Sequence, residues 1–205
     1  MTNAAFWDKL APRYAAKPID DVSAYEKTLA VTATYLSPED CVLEIGCGTG
    51  GTALILAQTA REVVATDVSQ GMVLIAQSKL TTDAPNVSFK VASSDEAMDE
   101  APFQAICAFN ILHLVDDPKT TIAALSQQLT DGGVVISKTP CIGEGAFFLP
   151  AVIWVMRQFR KAPFVHVMTG DQLEEMFRKS GFEILERCKF GSGKMNPFIV
   201  ARKAS

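Results

Sequence analysis

The chain has 205 residues, 48% of them hydrophobic, and a formal net charge of −4 at pH 7. That length allows one domain with a sizeable core and is short for two, and so apolar a chain is not intrinsically disordered. The acidic balance argues against nucleic acid as the main partner, because phosphate binding requires a basic field.

In chain order, DVSAYEKTLAVTATYL (21–36) has helical spacing and stops at Ser37-Pro38. CVLEI (41–45) predicts a buried strand, TALILAQTA (52–60) a helix and EVVATD (62–67) a second strand. SQGMVLIAQSKL (69–80) predicts a helix with Ser69 as N-cap. VSFKVA (87–92) and QAICAFN (104–110) are the third and fourth strands, and Asp117-Pro118 opens a helix that runs through Leu129. Asp131-Gly132-Gly133 then turns the chain into a fifth strand, VVIS (134–137). Thr169-Gly170-Asp171-Gln172 reads as a capping box for a helix ending near Gly181. FEILERCKF (182–190) and NPFIVARK (196–203), joined by Gly191-Ser192-Gly193-Lys194, form an antiparallel hairpin. That GSGK is a turn and not a phosphate loop, since it lacks the G-x-x-x-x-G-K spacing. Five βα alternations argue for one α/β domain with a parallel sheet covered on both faces.

No apolar run reaches a membrane span, and MTNAAFWDKLAPRY lacks the segments of a secretion signal. The five cysteines (Cys41, Cys47, Cys107, Cys141, Cys188) are scattered and odd in number. They read as reduced thiols of a cytoplasmic protein rather than a disulfide frame or a zinc site, and no His, Asp or Glu cluster has metal-ligand spacing.

The densest signal is VLEIGCGTGG (42–51). Glycines directly after a strand bring backbone against a ligand at the carboxyl end of an open sheet. Asp67, at the end of the second strand, is placed to accept from both hydroxyls of a ribose. Gly46-x-Gly48-x-x-Gly51 fits NAD; Glu44-x-Gly46-x-Gly48-x-Gly50 fits another adenosine ligand. Glu44 favours the second, because an anion there repels a pyrophosphate and attracts an ammonium or sulfonium. The forty residues before the first strand point the same way.

Nearly end to end the chain resembles the class I S-adenosylmethionine-dependent methyltransferases of the small type-11, UbiE-like sort. The resemblance rests on FWDKLAPRYA, VLEIGCGTG, VVATDVSQGMVLIA, AFNILHLVDD, LSQQLTDGGVVIS and TGDQLEEMFRKSGFEI. It implies a Rossmann-like, doubly wound, seven-stranded and mostly parallel sheet with an antiparallel C-terminal strand. It also implies S-adenosylmethionine as cofactor, with S-adenosylhomocysteine as product. Within the single domain 1–205, residues 1–37 would be an N-terminal lid, 38–138 the cofactor-binding core, 139–168 an acceptor-pocket insertion and 169–205 the final helix and hairpin.

Carried over by position, Gly46, Cys47 and Gly48 pass beneath the methionine and ribose, and Glu44 acts near the ammonium. Asp67 grips the ribose, Val68 and Met72 lie against the adenine, and Tyr14 covers the methionine end. Asn110 offers its backbone near the reactive methyl. At the end of the third strand the family often has an acid and then an amide; here VASSDEAM departs from that pattern. Ser94 with Asp95 is the preferred adenine-reading pair and Ser93 with Ser94 the alternative.

A methyltransferase needs a general base only when its acceptor must lose a proton. His113 and Tyr25 are the candidate catalytic side chains, each weighed against a core role; His166 and Cys141 read as packing residues. The segment 146–161, with Phe147, Phe148, Leu149, Trp154 and Phe159 followed or interleaved by Arg157, Arg160 and Lys161, is a pocket wall, a lipid-contacting helix or a dimer face. The expected reaction is methyl transfer to a small, partly apolar acceptor at O, N, S or C, quinone-like, lipid-like or a small thiol. The expected state is a monomer or homodimer with no stable membrane insertion. An NAD-dependent oxidoreductase and a non-catalytic binder of the same cofactor are the alternatives.

Overall fold

The computed structural model describes residues 3–81, 85–145, 152, 163–191 and 195–204. Seven strands form one sheet: β1 (Cys41–Ile45), β2 (Glu62–Asp67), β3 (Val87–Val91), β4 (Phe103–Phe109), β5 (Leu129–Lys138), β6 (Phe182–Lys189) and β7 (Pro197–Lys203). Their order is β3-β2-β1-β4-β5-β7-β6. The β1–β2, β1–β4, β2–β3 and β4–β5 pairs are parallel, while β7 runs antiparallel to both β5 and β6. The strand order reverses between β1 and β4, so their carboxyl ends border the crevice where such sheets bind ligands.

Two apolar layers hold the sheet. On one face, Leu43, Ile45, Ile106 and Val135 pack with Ile122 and Leu125 of α5 (Pro118–Gln128) and with Leu173 and Phe177 of α6 (Gly170–Lys179). On the other, Val42, Val63, Ala65, Ala105 and Ile136 meet Ala53 and Leu56 of α3 (Gly51–Leu56) and Val73 and Ala76 of α4 (Gln70–Gln77). The period-two alternation of each strand divides its residues between the layers. Truncating a fully buried side chain such as Phe177 to alanine would cost about 3–5 kcal/mol.

Local chemistry sets the helix starts. Ser69 accepts from the Met72 N–H at 3.1 Å and caps α4, and Asp117 caps α5 with Pro118 in the first turn. Thr169 and Gln172 form a reciprocal capping box at α6. Helix α2 (Val22–Ala33) is capped by Asp21, which accepts from the Ala24 N–H at 2.9 Å.

Five elements differ from the sequence reading, two of them only in that α2 and α4 each end three residues early, at Ala33 and Gln77. Helix α1 (Asn3–Ala15) precedes α2 and carries Pro12 inside it, which masked its helical pattern. Helix α3 ends at Leu56, four residues early. Strand β5 begins at Leu129, not at Val134: Leu129 pairs with Phe103 and Val134 with Ala105, so Asp131-Gly132-Gly133 forms a bulge within the strand, with Gly132 at φ 75°.

Candidate active site

At the end of β1 the chain turns through Gly46 and Gly48, with φ of 66° and 54°. A Cβ on Gly46 would lie 2.6 Å from the Ile111 side chain, so only glycine fits. A Cβ on Gly48 would meet only Tyr14 Cε1, at 3.7 Å, which leaves the space above that backbone open to a ligand. The Cys47 N–H donates to the Thr66 carbonyl and the Gly48 N–H to Asp67 Oδ2, both at 2.9 Å. The loop is thereby fastened to the end of β2. Asp67 Oδ1 accepts from the Ser69 N–H at 2.9 Å, and burial raises the pKa of this carboxyl against the pull of those two amides.

Helix α1 closes one side. Asp8 accepts from the Ser69 hydroxyl at 2.7 Å and the Gly71 N–H at 2.9 Å, which docks α1 on the first turn of α4. These bonds hold the Asp8 carboxyl below its usual pKa. Trp7 and Tyr14 meet edge to face at 6.3 Å and stand on the rim.

These elements enclose a cleft of about 710 Å³. Its walls include Tyr14, Gly46, Gly48, Asp67, Val68, Met72, Ser94, Asp95 and Asn110, nine of the positions expected from the sequence. Ser93 also lines it, and its hydroxyl donates to Asp95, so both adenine-reading registers face the cleft. Asn110 has φ 55°, and its N–H donates to the Lys138 carbonyl at 2.7 Å. Its carbonyl and side chain are what remain for a ligand.

Four expected residues stand behind the wall. Glu44 is 3% exposed, and its Oε2 has no partner among the described residues. Burial first, and then the Asp67 charge, push its pKa up to about 8, opposed by the Ala53 N–H. The Cys47 side chain is buried beneath the loop, and its thiol pKa is raised by the same burial. The Tyr25 hydroxyl shares a 3.1 Å hydrogen bond with Thr52 at the start of α3, and burial raises its pKa. His113 is buried, its Nδ1 has no partner among the described residues, and burial lowers its pKa to about 4. Its carbonyl accepts from the His166 N–H at 2.8 Å. Neither His113 nor Tyr25 lines the cleft.

The sequence reading did not assign Trp7, Phe109, Ile111, Leu114, Asp116 or Phe164 to this site. The "FW" of FWDKLAPRYA was the available signal for Trp7; Phe164 has none, since its place depends on tertiary packing. Segment 146–161 lies, apart from residue 152, outside the described residues, as does most of the GSGK turn. Among the described residues no three His, Cys, Asp or Glu side chains converge as a metal site requires.

The residues present fit an adenosyl cation. Gly48 leaves a cradle that a side chain would fill, Asp67 faces it with a carboxylate, and Glu44 keeps an unpartnered buried acceptor beneath it. The dinucleotide spacing fits less well. Its third glycine, Gly51, would have nothing within 4 Å of a Cβ, whereas one on Gly50 would meet Ala76 and Phe89 at 2.7 Å. The close-packed glycine therefore belongs to the Glu44-x-Gly46-x-Gly48-x-Gly50 pattern.

Residues 9–187 match a family model described as a methyltransferase domain. The chain is 26% identical over 190 residues to a hybrid PKS-NRPS synthetase of Macrophomina phaseolina, covering 86% of this chain and 5% of that protein. It is 28% identical to a ubiquinone biosynthesis O-methyltransferase of Cereibacter sphaeroides, with 71% and 61% covered. To a demethylmenaquinone methyltransferase of Symbiobacterium thermophilum it is 27% identical, with 86% and 82% covered. The chain thus spans less than two thirds of the first two of these relatives. Among solved structures, the [4+2]-cyclase SpnF superposes with a TM-score of 0.80 at 18% identity, covering 98% of this chain and 94% of that one. At that identity the likeness is one of fold.

Proposed function

We infer the reaction from the family: the chain belongs to the methyltransferase-domain family and is a class I, S-adenosylmethionine-dependent methyltransferase. The proposed reaction is methyl transfer to a small, partly apolar acceptor at O, N, S or C. The observation that carries it is the meeting of Gly46, Gly48 and Asp67 in one cleft whose wall includes the apolar Phe109, Ile111, Leu114 and Phe164 beside Asp116, Asp117, Thr120 and Thr121. Quinone-like, lipid-like and small thiol acceptors suit that wall, and two relatives are named for quinone biosynthesis.

When bound, S-adenosylmethionine supplies an activated methyl on a sulfonium. In the proposed site Asp67 accepts from the ribose hydroxyls, and Val68 and Met72 form the apolar wall against the adenine. Ser94 and Asp95 read the adenine edge. Gly46 and Gly48 let the backbone approach, and Glu44 beneath them supplies the counter-charge to the ammonium. Tyr14 and Trp7, held by the Asp8 contacts, keep water from the methyl. The protein then has to hold the acceptor lone pair in line with the transferring bond. Tyr25 and His113 serve as positioning groups in this reading: Tyr25 ties α2 to α3, and His113 supports the cleft-lining segment after β4.

Among the described residues no helix is long and apolar enough to cross a membrane. The five cysteines are free thiols, which supports the cytoplasmic setting of the proposal. A small-molecule partner, with the enzyme a monomer or homodimer, completes it. The test is transfer of a tritiated methyl from S-adenosylmethionine across hydroquinones, catechols, fatty acids and small thiols. Label in at least one class is expected. Cofactor binding with no transfer to any of them would favour a non-catalytic protein on this fold.

A further inference from the structure

Lys138 ends β5 on the sheet face covered by α2. It lies two residues beyond Ile136 of that layer and is the Cα partner of cleft-lining Phe109 across the parallel β4–β5 pair. Paired residues of adjacent strands share a face and lie about 4.8 Å apart, so the Lys138 stem starts beside the cleft wall. Its carbonyl accepts from the N–H of Asn110, which also lines the cleft. Its ammonium donates to Thr28 Oγ1 at 3.0 Å, and the Thr28 hydroxyl is itself spent on the Ala24 carbonyl at 2.7 Å.

Among the described residues Lys138 is half-buried yet makes no ion pair, and one of its three N–H groups is used. The other half-buried lysines among the described residues each face a carboxylate: Lys90 faces Glu100, and Lys203 faces Asp131 at 3.5 Å. Burial lowers the Lys138 pKa, with Asp21 near enough to oppose that but not to bond. The two N–H groups that make no bond among the described residues are donors available to an anion on a ligand. Helix α2 thus links α3, through Tyr25 and Thr52, to β5, through Thr28 and Lys138; Lys138 stands next to the lining residues Phe109 and Asn110 rather than among them.

We propose that Lys138 is a specificity-determining residue that binds an anionic group, a carboxylate or a phosphate, on the methyl acceptor. This deepens the methyltransferase reading and rests on it. The acceptor is then amphipathic, with an apolar body against Phe109 and Ile111 and an acidic group at Lys138.

The test uses protein saturated with S-adenosylhomocysteine and compares wild type, Lys138→Met and Lys138→Arg. Benzoate, hexanoate and phenyl phosphate are titrated beside the neutral benzamide and hexanamide. Wild type should bind at least one acid roughly tenfold or more tighter than its amide. The preference should vanish in Lys138→Met and survive in Lys138→Arg, with affinity for S-adenosylhomocysteine unchanged in all three. A carboxylate that binds while phenyl phosphate does not, or the reverse, identifies the kind of anion within the proposal. Equal binding of acids and amides, binding of no acid at all, or a preference that persists in Lys138→Met would overturn it. Failure of wild type to bind S-adenosylhomocysteine would strike the cofactor reading instead.

Discussion

The Asp67 carboxylate and the Gly48 amide are joined across the cleft floor: Oδ2 accepts from that N–H at 2.9 Å, while Oδ1 accepts from Ser69. The residue proposed to hold the ribose thus also fastens the glycine loop. Asp67→Ala should therefore do two things. Affinity for S-adenosylhomocysteine should fall by roughly 30-fold or more with the loss of hydrogen bonds to a charged group, each about 1.5–3 kcal/mol. Stability should also fall, by about 1–3 kcal/mol, because two amides lose their acceptor. Calorimetry and urea unfolding measure the two separately, and unchanged affinity would remove Asp67 from the site.

Two glycine substitutions test the loop: Gly48, common to both spacings, tests whether a ligand sits there, and Gly51 separates the two ligand readings. Gly48→Val places a β-branched residue at φ 54° in the open cradle and should abolish cofactor binding. Gly51→Ala meets nothing within 4 Å and should keep full affinity. It should also raise stability by about 0.4–1 kcal/mol, because the unfolded chain loses freedom. Were Gly51→Ala to lose binding, the dinucleotide spacing would be the functional one.

Glu44 gives a signed pH dependence. Its ordinary pKa of 4.5 rises to about 8 in the fold. Between those values the folded chain holds a proton that the unfolded chain has released. The group's contribution is full below pH 4.5, declines by up to about 1.4 kcal/mol per pH unit as pH rises, and is lost above about 8. Asp67, raised by burial, acts in the same direction. Wild type and Glu44→Gln compared by urea unfolding from pH 5 to 8 should differ by this slope. A bound ammonium would also ionise Glu44, so binding near pH 7 should release a proton, seen as heat that varies with the buffer. Glu44→Gln should release none there.

His113 is buried and neutral above its pKa of about 4. His113→Ala should cost about 0.5–3 kcal/mol of stability through lost packing and change kcat by less than about 10-fold, below the range of a positioned general base. A loss of about 100-fold or more in kcat, with affinity for S-adenosylhomocysteine retained, would give it a part in the transfer step.

Much of this architecture is written in local patterns. CVLEI and EVVATD form strands because apolar runs of that length bury both faces, and Thr169 with Gln172 caps α6 with bonds inside one turn. The glycine loop was legible because its residues are contiguous. What the sequence concealed depends on long-range meetings. Leu129 is a strand residue because Phe103 pairs with it. Helix α1 carries a proline and gains its place through Asp8 on Ser69, sixty-one residues away. Phe109 and Lys138 become neighbours only when β4 meets β5. Glu44 read as facing the ligand, whereas the fold sets it one layer below, since the loop closes over it with Cys47 bonded to Thr66.

The most direct measurement is calorimetric titration of the wild-type protein with S-adenosylhomocysteine, with NADH titrated in parallel. Saturable one-site binding of S-adenosylhomocysteine and no binding of NADH is the expected result. Binding of NADH with none of S-adenosylhomocysteine would contradict the assignment of Gly46, Gly48 and Asp67 to an S-adenosylmethionine site.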